Sequence, residues 1–278
     1  MLESLLMNQA EKEGLKFRTI SNLNAKPSPV TGQFMHQLGH GNHIYLIGAG
    51  SPTRNFCRFD LTTRLYESLP IVPYTAVSSA SAVILNDTLY YGTGLTDGNG
   101  TAQSFFHAYD IPTGTWLTRA TPGATSRSSF AALNGKVYLV GGNETRRLFR
   151  EYDPTTNVWT TKAALPADIY GGMAVGYEGK LYALAGNGVL YSWDPETNTW
   201  TTGVTLFNSY YNLGLGFANG KLFWPVARDL YCAEDITQPV FIKQPAGEPT
   251  NMVLYALAHL NNRIYSVLSN GSVTEFYE

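Results

Sequence analysis

Three histidines lie close together in the chain, His36, His40 and His43, a density that would suit a metal ion if their rings met. His107 and His259 stand alone. Asp97-Gly98-Asn99-Gly100 opens like a calcium loop, but the sixth place holds Ala102 instead of Gly and the twelfth Ala108 instead of Glu. Gly48-Ala49-Gly50 and Gly92-Thr93-Gly94 would cradle phosphate only if a helix followed each. Cys57 and Cys232 could make one disulfide or remain thiols. Asn86, Asn99, Asn143 and Asn270 each begin an Asn-x-Ser/Thr sequon. Which of these residues act together depends on the elements that carry them.

The 278 residues are 44% hydrophobic but only 14% charged, against about 25% in an average soluble domain. Lys plus Arg is 19 and Asp plus Glu is 21, a net charge of −2. That balance gives no general attraction for nucleic acid or an anionic membrane. No apolar run reaches the roughly 20 residues of a membrane span. The 27 Gly, 18 Tyr, 13 Phe and 5 Trp favour many short strands joined by tight turns. Residues 1–14 are expected to form an N-terminal extension. Leu2, Leu5, Leu6 and Gln9 have helical spacing there, as a short helix or a docking peg would. The stretch lacks a basic start and a small-residue cleavage site, so it does not read as a secretory signal and a cytoplasmic setting is expected. The sequons then read as turn sequences.

Two patterns recur. The first is a turn, a polar residue, an aliphatic and an aromatic: Asn42-His-Ile-Tyr45, Asp87-Thr-Leu-Tyr90, Gly135-Lys-Val-Tyr138, Gly179-Lys-Leu-Tyr182, Gly220-Lys-Leu-Phe223 and Asn262-Arg-Ile-Tyr265. The aromatic returns at intervals of 45, 48, 44, 41 and 42 residues. The second is an acid followed six residues later by an aromatic: Asp60…Tyr66, Asp110…Trp116, Asp153…Trp159, Asp194…Trp200 and, more loosely, Asp235…Phe241. Asn-Gly before the polar residue marks a type I′ hairpin, because both central residues need positive φ. Asp-Pro-Thr-Thr-Asn and Asp-Pro-Glu-Thr-Asn mark turns between two further strands. Each unit is therefore a four-stranded antiparallel meander. Such a sheet cannot bury both faces alone, so the units stack radially.

These repeats resemble the Kelch family. The resemblance rests on Gly141-Gly142 after a second strand, the later Tyr, and Trp at fixed spacing, and it covers nearly the whole chain from residue 15. It implies an all-β, six-bladed β-propeller over residues 15–278. The sixth unit ends at Phe276-Tyr277-Glu278, where a third strand should finish, so its fourth strand is missing. Leu15-Lys-Phe17-Arg-Thr-Ile20 is expected to supply it and close the ring, with Phe17 as the outer aromatic. In this register Cys57 and Cys232 lie on third strands of non-adjacent blades, too far apart to bridge. His36 falls on a first strand, His40 in the turn and His43 on the second strand, so no metal is expected.

The first-to-second and third-to-fourth turns share one face. The longer second-to-third loops and the blade connections share the other, where binding is usually placed. Arg54, Tyr74, Arg127, Arg146, Tyr170 and Tyr211 are the candidate contacts on that face, by the reach of Arg and the area of Tyr. The expected function is a non-enzymatic protein-binding or scaffold module without a cofactor. One alternative is a structural subunit of a large assembly such as a phage or virus particle, which the low charge and the peg also suit. The family contains enzymes as well. Galactose oxidase-like copper sites need a Tyr, His and Cys set that these positions do not supply. A sialic-acid mutarotase-like site would need an acid and an Arg facing the channel, with Arg127 and Glu144 or Asp168 as candidates, and would take a glycan.

Overall fold

The computed structural model describes residues 16–20, 36–47, 56–73, 77–96, 100–169, 173–206, 214–226, 229–233, 235–236, 241–243, 257–267 and 272–277. They form six four-stranded antiparallel sheets, the blades of a ring, and one two-stranded ribbon. Blade 1 is His36–His40, His43–Ile47, Phe56–Asp60 and Tyr66–Ser68. Blade 2 is Ser81–Leu85, Thr88–Gly92, Phe106–Asp110 and Thr115–Thr118. Blade 3 is Ser129–Leu133, Lys136–Val140, Phe149–Asp153 and Val158–Thr161. Blade 4 is Met173–Tyr177, Lys180–Leu184, Val189–Asp194 and Thr199–Thr205. Blade 5 is Gly216–Ala218, Lys221–Val226, Asp229–Ala233 and Phe241–Lys243.

Blade 6 holds Ala258–Leu260, Arg263–Val267 and Val273–Tyr277, and its outer strand is Lys16–Thr19. The N-terminal strand thus closes the ring as the incomplete sixth repeat requires. Phe17 pairs in register with Phe276, as Trp159 does with Tyr152 in blade 3. Gln37 locks the same joint from inside. Its buried amide donates to Val267 O at 2.8 Å and accepts from Val267 N–H at 2.7 Å.

The hairpins follow from local chemistry. Asn134-Gly135, Asn219-Gly220, Asn261-Asn262 and Glu178-Gly179 all have positive φ at both central residues. At the other turn the acid of the second pattern is an acceptor: Asp60 Oδ1 takes the N–H groups of Thr62 and Thr63 at 2.7 and 2.9 Å. Asp110, Asp153 and Asp194 bond their own turns in the same way. Blade 5 departs from the expected spacing. Phe241 stands opposite Ala233, one residue earlier than Asp235 would place it, so this turn is longer. The ribbon was not expected: Val77–Ser78 pairs with Leu95–Thr96, tying a blade connection to a loop.

Along each second strand, side chains alternate between the two neighbouring blades. Ile44 and Leu46 pack toward blade 6, while Tyr45 and Ile47 pack toward blade 2. Among the described residues one hydrophobic cluster fills each blade-to-blade joint. The Trp residues bridge these joints. Trp116, Trp159 and Trp200 each pack on the Phe that starts the third strand of the preceding blade, Phe56, Phe106 and Phe149. Their Nε1–H groups donate to Pro70 O, Ala120 O and Ala163 O, where the preceding blade ends. Asn157 and Asn198 complete the clasp by accepting from Ala120 N–H and Ala163 N–H at 2.9 and 3.3 Å.

Candidate functional site

The loop-rich face is best defined where blades 2, 3 and 4 meet. Gly141-Gly142 allows the approach. A Cβ on Gly141 would lie 2.4 Å from Ile169 O, and one on Gly142 2.1 Å from Thr125 Oγ1. Both have positive φ, so Gly is required on two counts. Gly142 N–H donates to Ile169 O at 3.0 Å, and Ile169 N–H to Arg146 O at 2.9 Å. This backbone net fixes the base of the loop that carries Glu144, Arg146 and Arg147.

Above it the side chains form two polar groups. Ser126 N–H and Oγ donate to the Glu144 carboxylate at 2.7 and 3.0 Å. Burial pushes that carboxyl up, but the Ser126 bonds outweigh it and the net shift is downward. Arg147 Nε donates to Asp168 Oδ1 at 3.0 Å, and Arg146 Nη1 lies 3.9 Å from Asp168 Oδ2. All three of these side chains are more than half exposed.

Of the six expected contacts, Arg127 and Arg146 are placed, while Arg54, Tyr74, Tyr170 and Tyr211 lie outside the described residues. The Arg146 side chain is exposed. Arg127 is half-buried, with φ of 52° and its N–H donating to Ser79 O at 3.0 Å, so its backbone is a joint between blades 2 and 3. Arg147, the stronger partner of Asp168, was not singled out in the sequence, although it adjoins Arg146 in a short second-to-third loop.

The first strands of blades 1 to 4 and 6, with Gly214 and Leu215 just before that of blade 5, line a central cavity of about 350 Å³. His36 and His259 stand in its wall. Burial lowers the pKa of His36, whose Nε2 lies 2.7 Å from Ala80 O, and pushes His259 down to about 4. Neither Glu144, Asp168 nor Arg127 is among the lining residues. His40 ends the first strand rather than sitting in the turn, and it opposes His43 across the hairpin. The two bond different carboxylates: His40 Nε2 is 2.9 Å from Asp87 Oδ1, and His43 Nε2 is 3.4 Å from Asp60 Oδ2. Among the described residues no three His, Cys, Asp or Glu side chains converge on a metal position. The N–H groups of Thr93 and Gly94 donate to Phe105 O and Thr125 O, so this glycine turn serves neighbouring backbone. Gly48–Gly50 and Asp97–Asn99 lie outside the described residues.

Comparison with known proteins agrees with this geometry. The family model of the DUF6242 beta propeller domain matches residues 71–210. The chain belongs to the Kelch-repeat β-propeller family. This Kelch propeller is 28% identical over 152 residues to an F-box/kelch-repeat protein of Arabidopsis thaliana, a match covering 52% of the chain and 40% of that relative. It is 27% identical over 144 residues to the Kelch-like protein terF of Aspergillus terreus, covering 49% of the chain and 31% of the relative. The matches thus span less than half the length of either relative. The solved structure of YjhT has the same fold, with a TM-score of 0.71 at 14% identity over 91% of this chain and 94% of that one.

Proposed function

We propose that this Kelch propeller is a non-catalytic protein-binding module that holds its partner on the loop-rich face. The observation that carries the reading is the contrast between the two faces. The turn face is made of short hairpins and of aspartates bonded to their own turns. The opposite face raises Arg146, Arg147 and Asp168 into solvent on a backbone fixed by Gly142 and Ile169. Exposed ion pairs contribute little to folding and are easily redirected to a partner's charges. Arg54, Tyr74, Arg127, Tyr170 and Tyr211 belong to the same proposed surface. In native extract, tagged wild-type chain and an Arg146→Glu/Arg147→Glu variant are compared for co-purifying protein. The variant should melt within a degree or two of wild type and lose the partner. Retention of the same partner at the same yield removes this face from the function.

A second reading, a subunit of a larger assembly, draws on the outer rim. Ile71 is 64% exposed and Val158 52%. The outer strand Thr199–Thr205 carries no charged residue, so it lacks the usual protection of a free sheet edge. Mass in solution and imaging of native particles decide between the readings. The cytoplasm is the compartment we propose; Cys57 and Cys232 lie buried on the third strands of blades 1 and 5. Thiol labelling of both residues after unfolding in native extract tests it.

A further inference from the structure

The joint between blades 6 and 1 differs from the next three around the ring. In blades 3 and 4 the fourth residue after the turn aspartate is Asn157 or Asn198, which clasps the preceding blade. In blade 2 that place holds Gly114, and in blade 1 it holds Arg64. All four have positive φ: 59° for Arg64, 70° for Gly114, 57° for Asn157 and 53° for Asn198. Gly and Asn take this conformation readily, whereas Arg does not, so Arg64 stands in a strained position. The neighbouring clasp residue also changes. Tyr66 stands where blades 2, 3 and 4 have Trp116, Trp159 and Trp200.

A cavity of about 430 Å³ opens at this joint, lined by Arg18, Ile20, Asn42, Leu61, Arg64, Asn261, Arg263, Tyr265 and Glu275. Among the described lining residues are three guanidinium groups and one carboxylate. Glu275 is buried, and it is already held by Arg18 Nε at 2.5 Å, by Arg263 Nη1 and by Tyr265 OH at 3.2 Å. Its charge is therefore shared between two cations of blade 6. Arg64, on blade 1, has no side-chain hydrogen bond or ion pair among the described residues.

The geometry points to a binding site for an oxyanion, the phosphate or carboxylate of a small ligand, held between Arg64 of blade 1 and the Arg18–Arg263 pair of blade 6. Guanidinium groups match such anions by paired N–H donors. The anion supplies a counter-charge to Arg64. It also bridges the two blades on the turn face, away from the proposed partner surface. Because only the closed ring assembles all three arginines, binding favours the closed ring.

The test is calorimetric titration of the full chain with inorganic phosphate, with ionic strength held constant by chloride. Wild type is expected to bind one phosphate per chain. Arg64→Asn installs the residue found at the matching place in blades 3 and 4, so it keeps the backbone conformation while removing the charge. It should weaken binding at least about tenfold, the effect of losing one charge-assisted hydrogen-bonding group. Arg64→Lys should restore part of the loss, and Arg147→Gln on the opposite face should bind as wild type does. Absence of saturable heat in the wild type overturns the site, as does equal affinity in Arg64→Asn or a matching loss in Arg147→Gln.

Discussion

Asn157 combines two jobs that few side chains could share. It holds a left-handed backbone at the turn, and its Oδ1 accepts both Ala120 N–H at 2.9 Å and Tyr152 OH at 2.8 Å. The corresponding joint between blades 1 and 2 shows why the Asn can be absent. Pro70 stands where Ala120 stands and has no N–H to satisfy, and Gly114 replaces the Asn. Replacing Asn157 by Gly therefore removes the hydrogen bonds but keeps the backbone relaxed, at a loss of about 1 kcal/mol. Asn157→Ala removes the same bonds and adds left-handed strain of about 1 kcal/mol more. Urea unfolding should rank wild type above Gly and Gly above Ala; equal losses would mean that the turn conformation does not matter.

At the level of elements, the joints are built by aromatic residues passed from blade to blade. Trp159 touches Phe106 of blade 2 at a centroid distance of 5.1 Å and Tyr152 of its own blade at 5.1 Å. Trp159→Ala should cost about 3 kcal/mol, near the lower end for large aromatic truncation because the ring is only half-buried. Binding per folded molecule should be unchanged. A normal urea midpoint with binding lost would move Trp159 to a partner surface. The strands and hairpins were legible in the sequence because their signals are local: two turn residues, an alternating strand, an acid six residues before an aromatic. Closure was legible by counting strands. The role of Arg64 was not, since it is a single break in a pattern whose meaning depends on a neighbouring blade. The blade 5 register was misjudged for a similar reason: Asp235 imitates the spacing while Phe241 pairs with Ala233. The backbone bond from Arg127 N–H to Ser79 O was likewise not legible, since its partner lies 48 residues away in the chain.

For the whole molecule, stability depends on the joint that the N-terminal strand completes. Glu275 has only 3% of its side chain exposed. Burial pushes its carboxyl up, but the bonds from Arg18 and Arg263 outweigh this and its pKa is lowered from 4.5. A carboxyl lowered on folding stabilises above its unfolded pKa, and that stability is lost as pH falls through the folded value. Deleting residues 1–20 removes Arg18 and bares a sheet edge, so the truncated chain should melt lower at neutral pH. The difference between intact and truncated chains should shrink as pH falls from about 4.5, the unfolded value, and through the lower folded value of Glu275. His36 and His259 also titrate on acidification, but both chains contain them and the subtraction cancels their effect. Identical melting of the two chains by calorimetry at pH 7 would refute closure by this strand.

The same joint sets an order of events during synthesis. Arg18 and Glu275 are 257 positions apart, so the ribosome releases the strand Lys16–Thr19 long before its partner Val273–Tyr277 exists. At about 5–20 residues per second the early strand waits about 10–50 s with its hydrogen-bonding edge unsatisfied. Blades 1 to 5 each hold all four of their strands in one stretch and can form as they emerge. The last blade alone must recruit a segment from the other end of the nascent chain. Stalled chains that stop before Val273 should therefore carry folded early blades and a protease-sensitive segment at residues 16–20, and protection there should appear only once the whole polypeptide has left the tunnel.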